Sequence, residues 1–358
     1  MDFPLNNLSS FHSELLANTE LGRLCGQDKL FRDRYQVIRI IGRGGFGVTF
    51  LAKDLELPTT PYCVIKLLCP KVSSSSALET ARLRFEREAK TLSKLGNHSQ
   101  IPMLLDYFVL EGEFYLVQEY IQGGTLARLI RRNGPISETG VRQFLREMLP
   151  LLHYVHSNRV IHRDIKPQNI IRCQNHRRLV LIDFGAVKEQ ISQVEDSNMK
   201  GVTTHFIGTV GFAPPEQFDL RSVFSSDIYA LGVTCLYLLS GVGPLDFETD
   251  RHTRKLLWRH KIPNVSAELG NILDQMLQPS PRDRFPSARS IIVALHGDQL
   301  SSSLFECLAV PPIPPVEVSP PEEIYQSPHD KAAIAIREWK QKNAARATRK
   351  SLINSSGS

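Results

Sequence analysis

A polar octapeptide, residues 162–169, lies between two short apolar pairs, Val160-Ile161 and Ile170-Ile171. Its sequence, His-Arg-Asp-Ile-Lys-Pro-Gln-Asn, predicts a functional loop that is held between two buried strands. The Asp164 carboxylate is able to accept a proton from a hydroxyl, and the amide oxygen of Asn169 is a hard ligand that suits a divalent cation. The alternative is that both residues make only local turn hydrogen bonds.

Composition indicates an ordinary globular protein. The chain has 358 residues, 42% of them hydrophobic and 22% charged, which is enough for one large or two moderate domains. The net charge of +6 and the sequence pI near 9.0 would suit nucleic acid or anionic lipid. Much of this excess lies after residue 330, so the folded part is closer to neutral and we expect no nucleic-acid partner.

The cysteines and the apolar runs bear on location. Six cysteines are scattered without C-x-x-C spacing, which favours reduced thiols over a zinc site or a disulfide framework. No basic segment precedes an apolar run at the N-terminus, and the longest apolar run, residues 228–239, is too short to cross a bilayer. The sequence therefore predicts a cytoplasmic protein without a transmembrane segment.

A glycine-rich run, residues 42–47, follows a β-type run at residues 35–41. A G-x-G-x-x-G pattern alone also fits a dinucleotide-binding turn, but that turn requires a helix after the glycines. Here residues 48–52 are β-branched, aromatic and apolar, which predicts a strand and hence a hairpin. Such a hairpin is able to lay backbone N–H groups over phosphates, although it also fits a glycine-rich turn without a ligand.

A single lysine, Lys66, lies within the predicted strand at residues 62–68. The simple interpretation is an exposed lysine at a sheet edge, because a lysine that points inward needs a carboxylate partner. A capping box at residues 76–79 begins a helix that ends near Leu95. Glu88 falls beside the apolar face of this helix, so we expect Glu88 to be the partner of the lysine.

The remaining pattern passes from strands to helices. Further strands are predicted at residues 104–109, 114–117 and 179–182. Helices are predicted at residues 137–156, 266–277 and 287–295, and residues 226–232 begin another helix, which is apolar all round. Pro150 lies inside the first of these helices and should bend it. Asp183, which follows a strand and precedes Phe184-Gly185, also fits a simple turn, and Asp227 also fits a helix cap.

These motifs together resemble the protein kinases. The octapeptide meets the catalytic-loop pattern H-R-D-L-x-x-x-N with Ile165 in place of Leu, and Asp183-Phe184-Gly185 matches the D-F-G motif. From about residue 35 to 295 every motif occurs in order, and the details are similar to the cyanobacterial branch of the eukaryotic-like (Hanks-type) bacterial serine/threonine kinases. The resemblance implies an α+β, bilobal fold, with a β-rich N-lobe that carries one main helix and a mostly helical C-lobe.

The resemblance also implies the site residues. The expected catalytic residues are Asp164, Lys166, Lys66 and Glu88, and the expected metal ligands are Asn169 and Asp183. The expected nucleotide-binding residues are Ile41, Gly42, Arg43, Gly44, Gly45, Phe46, Gly47, Thr49, Val64, Lys66, Gln118, Glu119, Ile121, Asn169 and Asp183. The implied cofactors are ATP and Mg²⁺, which Mn²⁺ is able to replace, and the implied substrates are serine and threonine side chains of proteins.

Three supporting contacts are implied as well. The resemblance implies that Thr209 contacts Lys166 and Asp164 and that Asp227 braces the catalytic loop. It also implies that Arg284 pairs with the glutamate of the A-P-E motif, here Glu216. Arg163 implies control by phosphorylation of the activation segment, for which Thr203 and Thr204 are the candidates and Ser197 the third.

Besides Ile165, the chain departs from the family pattern at five positions. These are Thr49, Val64 and Gln118 around the expected adenine pocket, and Pro214 and Tyr229 in the large lobe. None of them removes a phosphate-binding or metal-binding group. A pseudokinase that binds nucleotide without turnover remains the alternative function, and a small-molecule phosphotransferase of related fold is a third.

The sequence divides into three regions. Residues 1–34 form an N-terminal extension, and the kinase domain covers residues 35–297, with an N-lobe at 35–118, a hinge at 119–124 and a C-lobe at 125–297. Residues 298–358 form a proline-rich linker and a basic tail that we expect to be disordered. The tail either makes a weak contact with an anionic surface or is only solvated. The oligomeric state is not predicted.

Overall fold

The computed structural model describes residues 19–43, 47–68, 75–96, 98–185, 188–189 and 209–296. These residues form a small lobe around a five-stranded sheet and a larger lobe made mostly of helices. The predicted α+β, bilobal fold is therefore confirmed.

The small lobe is built on an antiparallel sheet with the strand order β1-β2-β3-β5-β4. Its strands are β1 (Tyr35–Arg43), β2 (Gly47–Asp54), β3 (Tyr62–Leu68), β4 (Leu104–Leu110) and β5 (Glu113–Glu119). Side chains alternate between the two faces of a strand, so Cys63, Ile65 and Leu67 join one core cluster. Lys66 consequently points to the opposite face, toward the large lobe.

Part of the N-terminal extension packs on the outer face of this sheet. It contains helix α1 (Glu20–Leu24), in which Leu21 is buried. Phe31 is also buried, with its ring centroid 5.0 Å from that of Tyr115 on β5. The segment is thus part of the core of the small lobe. The helical spacing of Leu8, Phe11 and Leu15 also predicts a short amphipathic helix before this segment, and those residues lie outside the described ones.

Helix α2 (Ser75–Leu95) is the main helix of the small lobe and ends where the sequence predicts. Phe85, Ala89 and Leu92 are buried on its inner face, and Glu88 is buried beside them. Tyr154 of the large lobe donates its hydroxyl to the carbonyl of Leu95 at 2.9 Å. This contact fixes the C-terminal end of the helix against the large lobe.

The large lobe contains the other helices and several two- to four-residue strands. The helices are α3 (Leu126–Asn133), α4 (Glu138–Ser157), α5 (Pro215–Phe218), α6 (Phe224–Ser240), α7 (Ala267–Met276) and α8 (Ala288–His296). The strands are β6 (Gly123–Thr125), β7 (Val160–Ile161), β8 (Ile170–Cys173), β9 (Leu179–Leu181), β10 (Lys188–Glu189), β11 (Glu248–Thr249) and β12 (Leu256–Leu257).

Local signals explain the helix boundaries. Thr125, Ser137 and Ser266 accept hydrogen bonds from backbone N–H groups in the first turns of α3, α4 and α7. Gly241 ends α6 in a left-handed conformation, which glycine adopts without strain. Among the described residues no helix combines the length and the apolar character that a membrane span requires.

The octapeptide lies between β7 and β8, as predicted, and its last three residues form a 3-10 turn, Pro167–Asn169. β8 pairs with β6 and β9, while β7 pairs with β10. Both flanking strands begin with fully buried residues, Val160 and Ile170. The loop is therefore held at both ends by the core of the large lobe.

Candidate active site

The carboxylate of Asp227 holds the catalytic-loop backbone in place. It is fully buried and accepts hydrogen bonds from the N–H groups of His162 and Arg163, each at 2.8 Å. The Nε2 atom of His156 contacts it at 2.9 Å. Burial would raise the pKa of Asp227, but these contacts with His156 and the loop outweigh burial and hold the pKa below its usual value. The N-cap residue of helix α6 is Val223, so Asp227 lies inside the helix. Its carboxylate braces the catalytic loop, and the alternative that Asp227 caps the helix is wrong.

Two residues near the site have left-handed backbone conformations. The φ angles are 68° at Arg163 and 67° at Asp183, and neither residue is glycine. Gln217 donates its side-chain amide to the carbonyl of Arg163 at 2.6 Å, and the His162 ring packs edge-on against Phe184 at 4.7 Å. Buried contacts on both sides thus support a backbone that is strained by itself.

Asp164 is the centre of a hydrogen-bonded network. Lys166 Nζ lies 2.7 Å from its Oδ2 atom, and the Thr209 hydroxyl donates to its Oδ1 atom at 2.8 Å. Lys166 also donates to Thr209 at 2.6 Å, and Asn169 Nδ2 donates to Asp164 Oδ2 at 2.8 Å. The carboxylate is therefore held in a fixed orientation by one cation, one amide and one hydroxyl.

Lys66 lies between two carboxylates that belong to different lobes. Its Nζ atom lies 2.5 Å from Glu88 Oε1 on α2 and 3.4 Å from Asp183 Oδ1. Burial disfavours the ammonium, but Glu88 and Asp183 outweigh burial and raise the pKa of Lys66 above its ordinary value. The same ammonium lowers the pKa of Asp183. At Glu88 the effect of burial is larger than that of the Lys66 ammonium, so the pKa of Glu88 is raised. The helix partner predicted for Lys66 is the one that the structure gives it.

The oxygen atoms near this pair suit a divalent cation. Asn169 uses its Nδ2 atom to donate to Asp164, and no described group donates to its Oδ1 atom. The Asp183 side chain is 48% exposed, and its pKa is low enough to keep it ionised. Among the described residues no group of three or more His, Cys, Asp or Glu side chains could hold a metal alone. Two protein oxygens completed by phosphate oxygens are the arrangement that Mg²⁺ favours.

The structure describes only part of the glycine-rich hairpin. Gly44, Gly45 and Phe46 lie outside the described residues, and only the backbone of Arg43 is described. At Gly47 a Cβ atom would lie 2.1 Å from the carbonyl oxygen of Leu67, so β2 and β3 require glycine there. This glycine therefore has a packing role apart from any ligand.

Residues expected around the adenine ring lie on neighbouring strands. Val64 and Gln118 are cross-strand partners on β3 and β5, and both are buried. Thr49 on β2 pairs with Lys66 on β3. Ile41, Glu119 and Ile121 are half-buried. The three departures from the family pattern near this pocket therefore lie on adjacent strands.

A buried ion pair anchors the segment that follows Thr209. Arg284 Nη1 lies 2.6 Å from Glu216 Oε1, and its Nη2 atom donates to the other carboxylate oxygen at 3.0 Å. Ser226 donates to the same carboxylate at 2.7 Å, and the guanidinium lies 4.8 Å from the centre of the Tyr229 ring. The ion pair between Arg284 and Glu216 that the resemblance implied is present, and the Tyr229 ring stacks on the guanidinium.

Sequence reasoning missed two residues of this site, His156 and Gln217. His156 lies in the last turn of α4, and Gln217 follows the anchored Glu216. His156 contacts Asp227, which holds the catalytic loop, and Gln217 contacts the loop itself at the carbonyl of Arg163. Both contacts arise through tertiary packing, so no local spacing identifies the two residues. The predicted phosphorylation sites Ser197, Thr203 and Thr204 lie outside the described residues.

Comparison with known proteins agrees with this geometry. The family model described as the protein kinase domain matches residues 35–294. Serine/threonine-protein kinase B of Synechocystis sp. is 47% identical over 282 residues, which cover 78% of this chain and 49% of that protein. Serine/threonine-protein kinase PknA of Nostoc sp. is 43% identical over 270 residues, which cover 75% of this chain and 48% of that protein. Serine/threonine-protein kinase PrkC of Bacillus subtilis is 30% identical over 289 residues, or 77% of this chain and 43% of that protein.

The chain belongs to the protein kinase domain family. The similarity to cyanobacterial members agrees with the branch that the motifs indicated. The chain spans about half the length of the curated relatives named first.

Proposed function

We propose that this chain is a serine/threonine protein kinase that transfers the γ-phosphate of ATP to serine and threonine hydroxyls of proteins, including its own activation segment, in signalling. The observation that carries the proposal is the fixed Asp164 carboxylate in the same site as the Lys66 ion pairs. Phosphoryl transfer needs positioning and neutralisation of charge more than covalent chemistry, and this arrangement supplies both.

Each side chain has a distinct role in this proposal. Asp164 accepts the proton of the attacking hydroxyl, a step worth about 10²–10⁴ in rate. Lys166, held between Asp164 and Thr209, lies where its charge is able to balance that of the γ-phosphate. Lys66, held by Glu88, binds the α- and β-phosphates.

Nucleotide binding involves the hairpin, the hinge and a metal ion. The residues that contact the nucleotide in this proposal are Ile41, Gly42, Gly47, Thr49, Val64, Gln118, Glu119 and Ile121. Asn169 and Asp183 would hold Mg²⁺ or Mn²⁺. When bound, the ion neutralises negative charge on the phosphates. Domain boundaries at residues 35 and 297 and a cytoplasmic location remain predictions from the sequence.

Autophosphorylation with γ-labelled ATP and Mg²⁺ tests the proposal. Lys66→Met and Asp183→Ala should each abolish labelling, because the first removes the phosphate-binding cation and the second a metal ligand. Lys90→Met, on the exposed side of α2, is the matched control and should label like the unaltered protein. Undiminished labelling of a folded Lys66→Met variant would contradict the proposal. Nucleotide binding without labelling of any form would favour the pseudokinase alternative.

A further inference from the structure

A basic surface lies on the hairpin β11–β12 and the turn that follows it. Residues 251–261 contain five lysine or arginine residues and two histidines, and no acidic residue. All seven side chains are exposed, and we call this set the basic hairpin surface: Arg251, His252, Arg254, Lys255, Arg259, His260 and Lys261. Clustered charge of one sign attracts a partner of the opposite sign.

Hydrogen bonds order the backbone that carries the basic hairpin surface. Asp250 Oδ1 accepts hydrogen bonds from the N–H groups of His252 at 3.0 Å and Thr253 at 2.6 Å, which closes the hairpin turn. Trp258 donates its indole N–H to Asp274 at 2.8 Å, and Arg259 lies 2.7 Å from the same carboxylate. A preformed surface loses little conformational freedom when it binds.

A cavity of about 440 Å³ opens within this surface. Its lining is apolar at Leu256, Leu257, Trp258 and Leu277, and basic at Lys255, Arg259 and His260, and it also includes Asp274, which pairs with Arg259, and Gln278. Leu257 is 41% exposed although it is apolar. The volume lies within the usual range for small ligand sites, about 300–1,000 Å³, and suits one or two large side chains.

Three cations of the surface have no acidic partner within the described part of the chain. Asp274 neutralises Arg259, and Lys261 donates to the carbonyl of Asp246. No described carboxylate lies within 4.0 Å of Arg251, Arg254 or Lys255, which is the limit for an ion pair. Their charges are therefore available to negative groups of a partner.

Short contacts connect the surface to the segment that holds Asp164. Gly211, two residues after Thr209, has a φ of +91°, and a Cβ atom there would lie 2.7 Å from Pro244 Cγ. Pro244 begins the 3-10 turn Pro244–Asp246 that precedes the hairpin. The same turn accepts the hydrogen bond from Lys261. This turn therefore contacts both the hairpin surface and the segment that follows Thr209.

We infer that the basic hairpin surface docks an acidic segment of the protein substrate, with one apolar side chain of that segment in the cavity. This inference rests on the proposed kinase function. A polypeptide fits better than a nucleic acid or a membrane, because the site is concave and partly apolar.

The test compares three peptides. The first is a short serine/threonine peptide that the protein phosphorylates, the second adds an extension of glutamates around one leucine, and the third replaces those glutamates by glutamine. Gly/Ser linkers of several lengths join the parts. The acidic extension should lower KM about tenfold and leave kcat unchanged, and added salt should weaken the gain. No gain over the glutamine peptide at any linker length would overturn the inference.

Variants localise the effect. Arg251→Glu with Lys255→Glu should remove the gain without changing the kinetics of the short peptide, and Leu257→Ala should reduce the gain. Arg132→Glu with Arg282→Glu changes the charge equally at exposed positions elsewhere and should keep the gain. A gain that survives in the hairpin double variant would overturn the inference.

Direct binding separates this inference from the proposed function. The labelled acidic extension alone should bind the unaltered protein in fluorescence anisotropy and lose that binding in the Arg251→Glu, Lys255→Glu variant, even if no peptide is phosphorylated. Equal binding to both forms would overturn the docking site. Tighter hairpin-dependent binding to phosphatidylglycerol vesicles or to single-stranded DNA than to the acidic extension would also overturn it, in favour of that partner.

Discussion

Replacing Asp227 by asparagine should destabilise the large lobe and slow phosphoryl transfer. The carboxylate accepts hydrogen bonds from two buried backbone N–H groups, those of His162 and Arg163, and from His156. Asparagine has nearly the same size but only one acceptor oxygen, so its NH₂ group faces a donor. At least one buried N–H group is then left without a partner.

The size of the effect follows from these contacts. An unsatisfied buried group costs about 1–3 kcal/mol, and loss of the charge on the remaining bonds adds to it, so we expect about 2–4 kcal/mol. For a domain of this size that loss lowers the Tm by roughly 4–16 °C. A small displacement of Asp164 should also lower kcat, by about 10²-fold for a shift near 1 Å.

Thermal or urea unfolding measures the change, with Asp219→Asn as the control at an exposed carboxylate in the same lobe. Because the pKa of Asp227 is lowered on folding, its stabilising effect is present above its unfolded pKa of about 3.9 and is lost as the pH falls below that value. The difference between the unaltered protein and Asp227→Asn should therefore shrink as the pH falls below about 4. Equal Tm values for Asp227→Asn and the control Asp219→Asn at pH 7 would refute the reasoning.

Four further predictions concern other parts of the chain. Gly47→Ala should lower the free energy of unfolding by about 1–3 kcal/mol, whereas Gly42→Ala, whose Cβ would lie 3.4 Å from the nearest atom, should cost less; equal losses in urea unfolding would contradict the packing argument. The departures from the family pattern at Thr49, Val64 and Gln118 should narrow the adenine pocket. Gln118→Thr should therefore increase the affinity of inhibitors that need an open back pocket, and unchanged affinity in a titration would refute this. Mass spectrometry of active protein should find phosphate on residues 203–204 or nearby, and its absence from the whole segment between the D-F-G and A-P-E motifs would count against activation by phosphorylation. A chain that ends at Gly297 should keep peptide kinase activity and lose salt-sensitive binding to anionic vesicles, and loss of activity would show that the boundary is misplaced.

Periodicity predicted much of the framework. The helical phase of α2 was enough to select Glu88 as the partner of Lys66, because the apolar face of α2 and the inward face of β3 must meet in one core. The strand β3 was predicted with the bounds observed, since its alternation and flanking residues are local signals. The fold class followed from the order of such elements.

Contacts between distant segments could not be predicted in this way. Asp227 fits a helix cap by local sequence, and only its tertiary contacts with the catalytic loop decide between the two roles. The hairpin strands β11 and β12 have two residues each, too few for a period to appear. The packing of Leu21 and Phe31 on the small-lobe sheet likewise depends on a surface built from other strands.

Single-turnover transfer by an Asp164→Asn variant tests the central claim most directly. The variant removes the proton acceptor but keeps the side-chain volume and the phosphate-binding groups. We predict ATP affinity close to that of the unaltered protein and a rate of transfer to a peptide lower by about 10²–10⁴. Asp219→Asn should transfer at the unaltered rate. Transfer at the unaltered rate by folded Asp164→Asn would contradict the account.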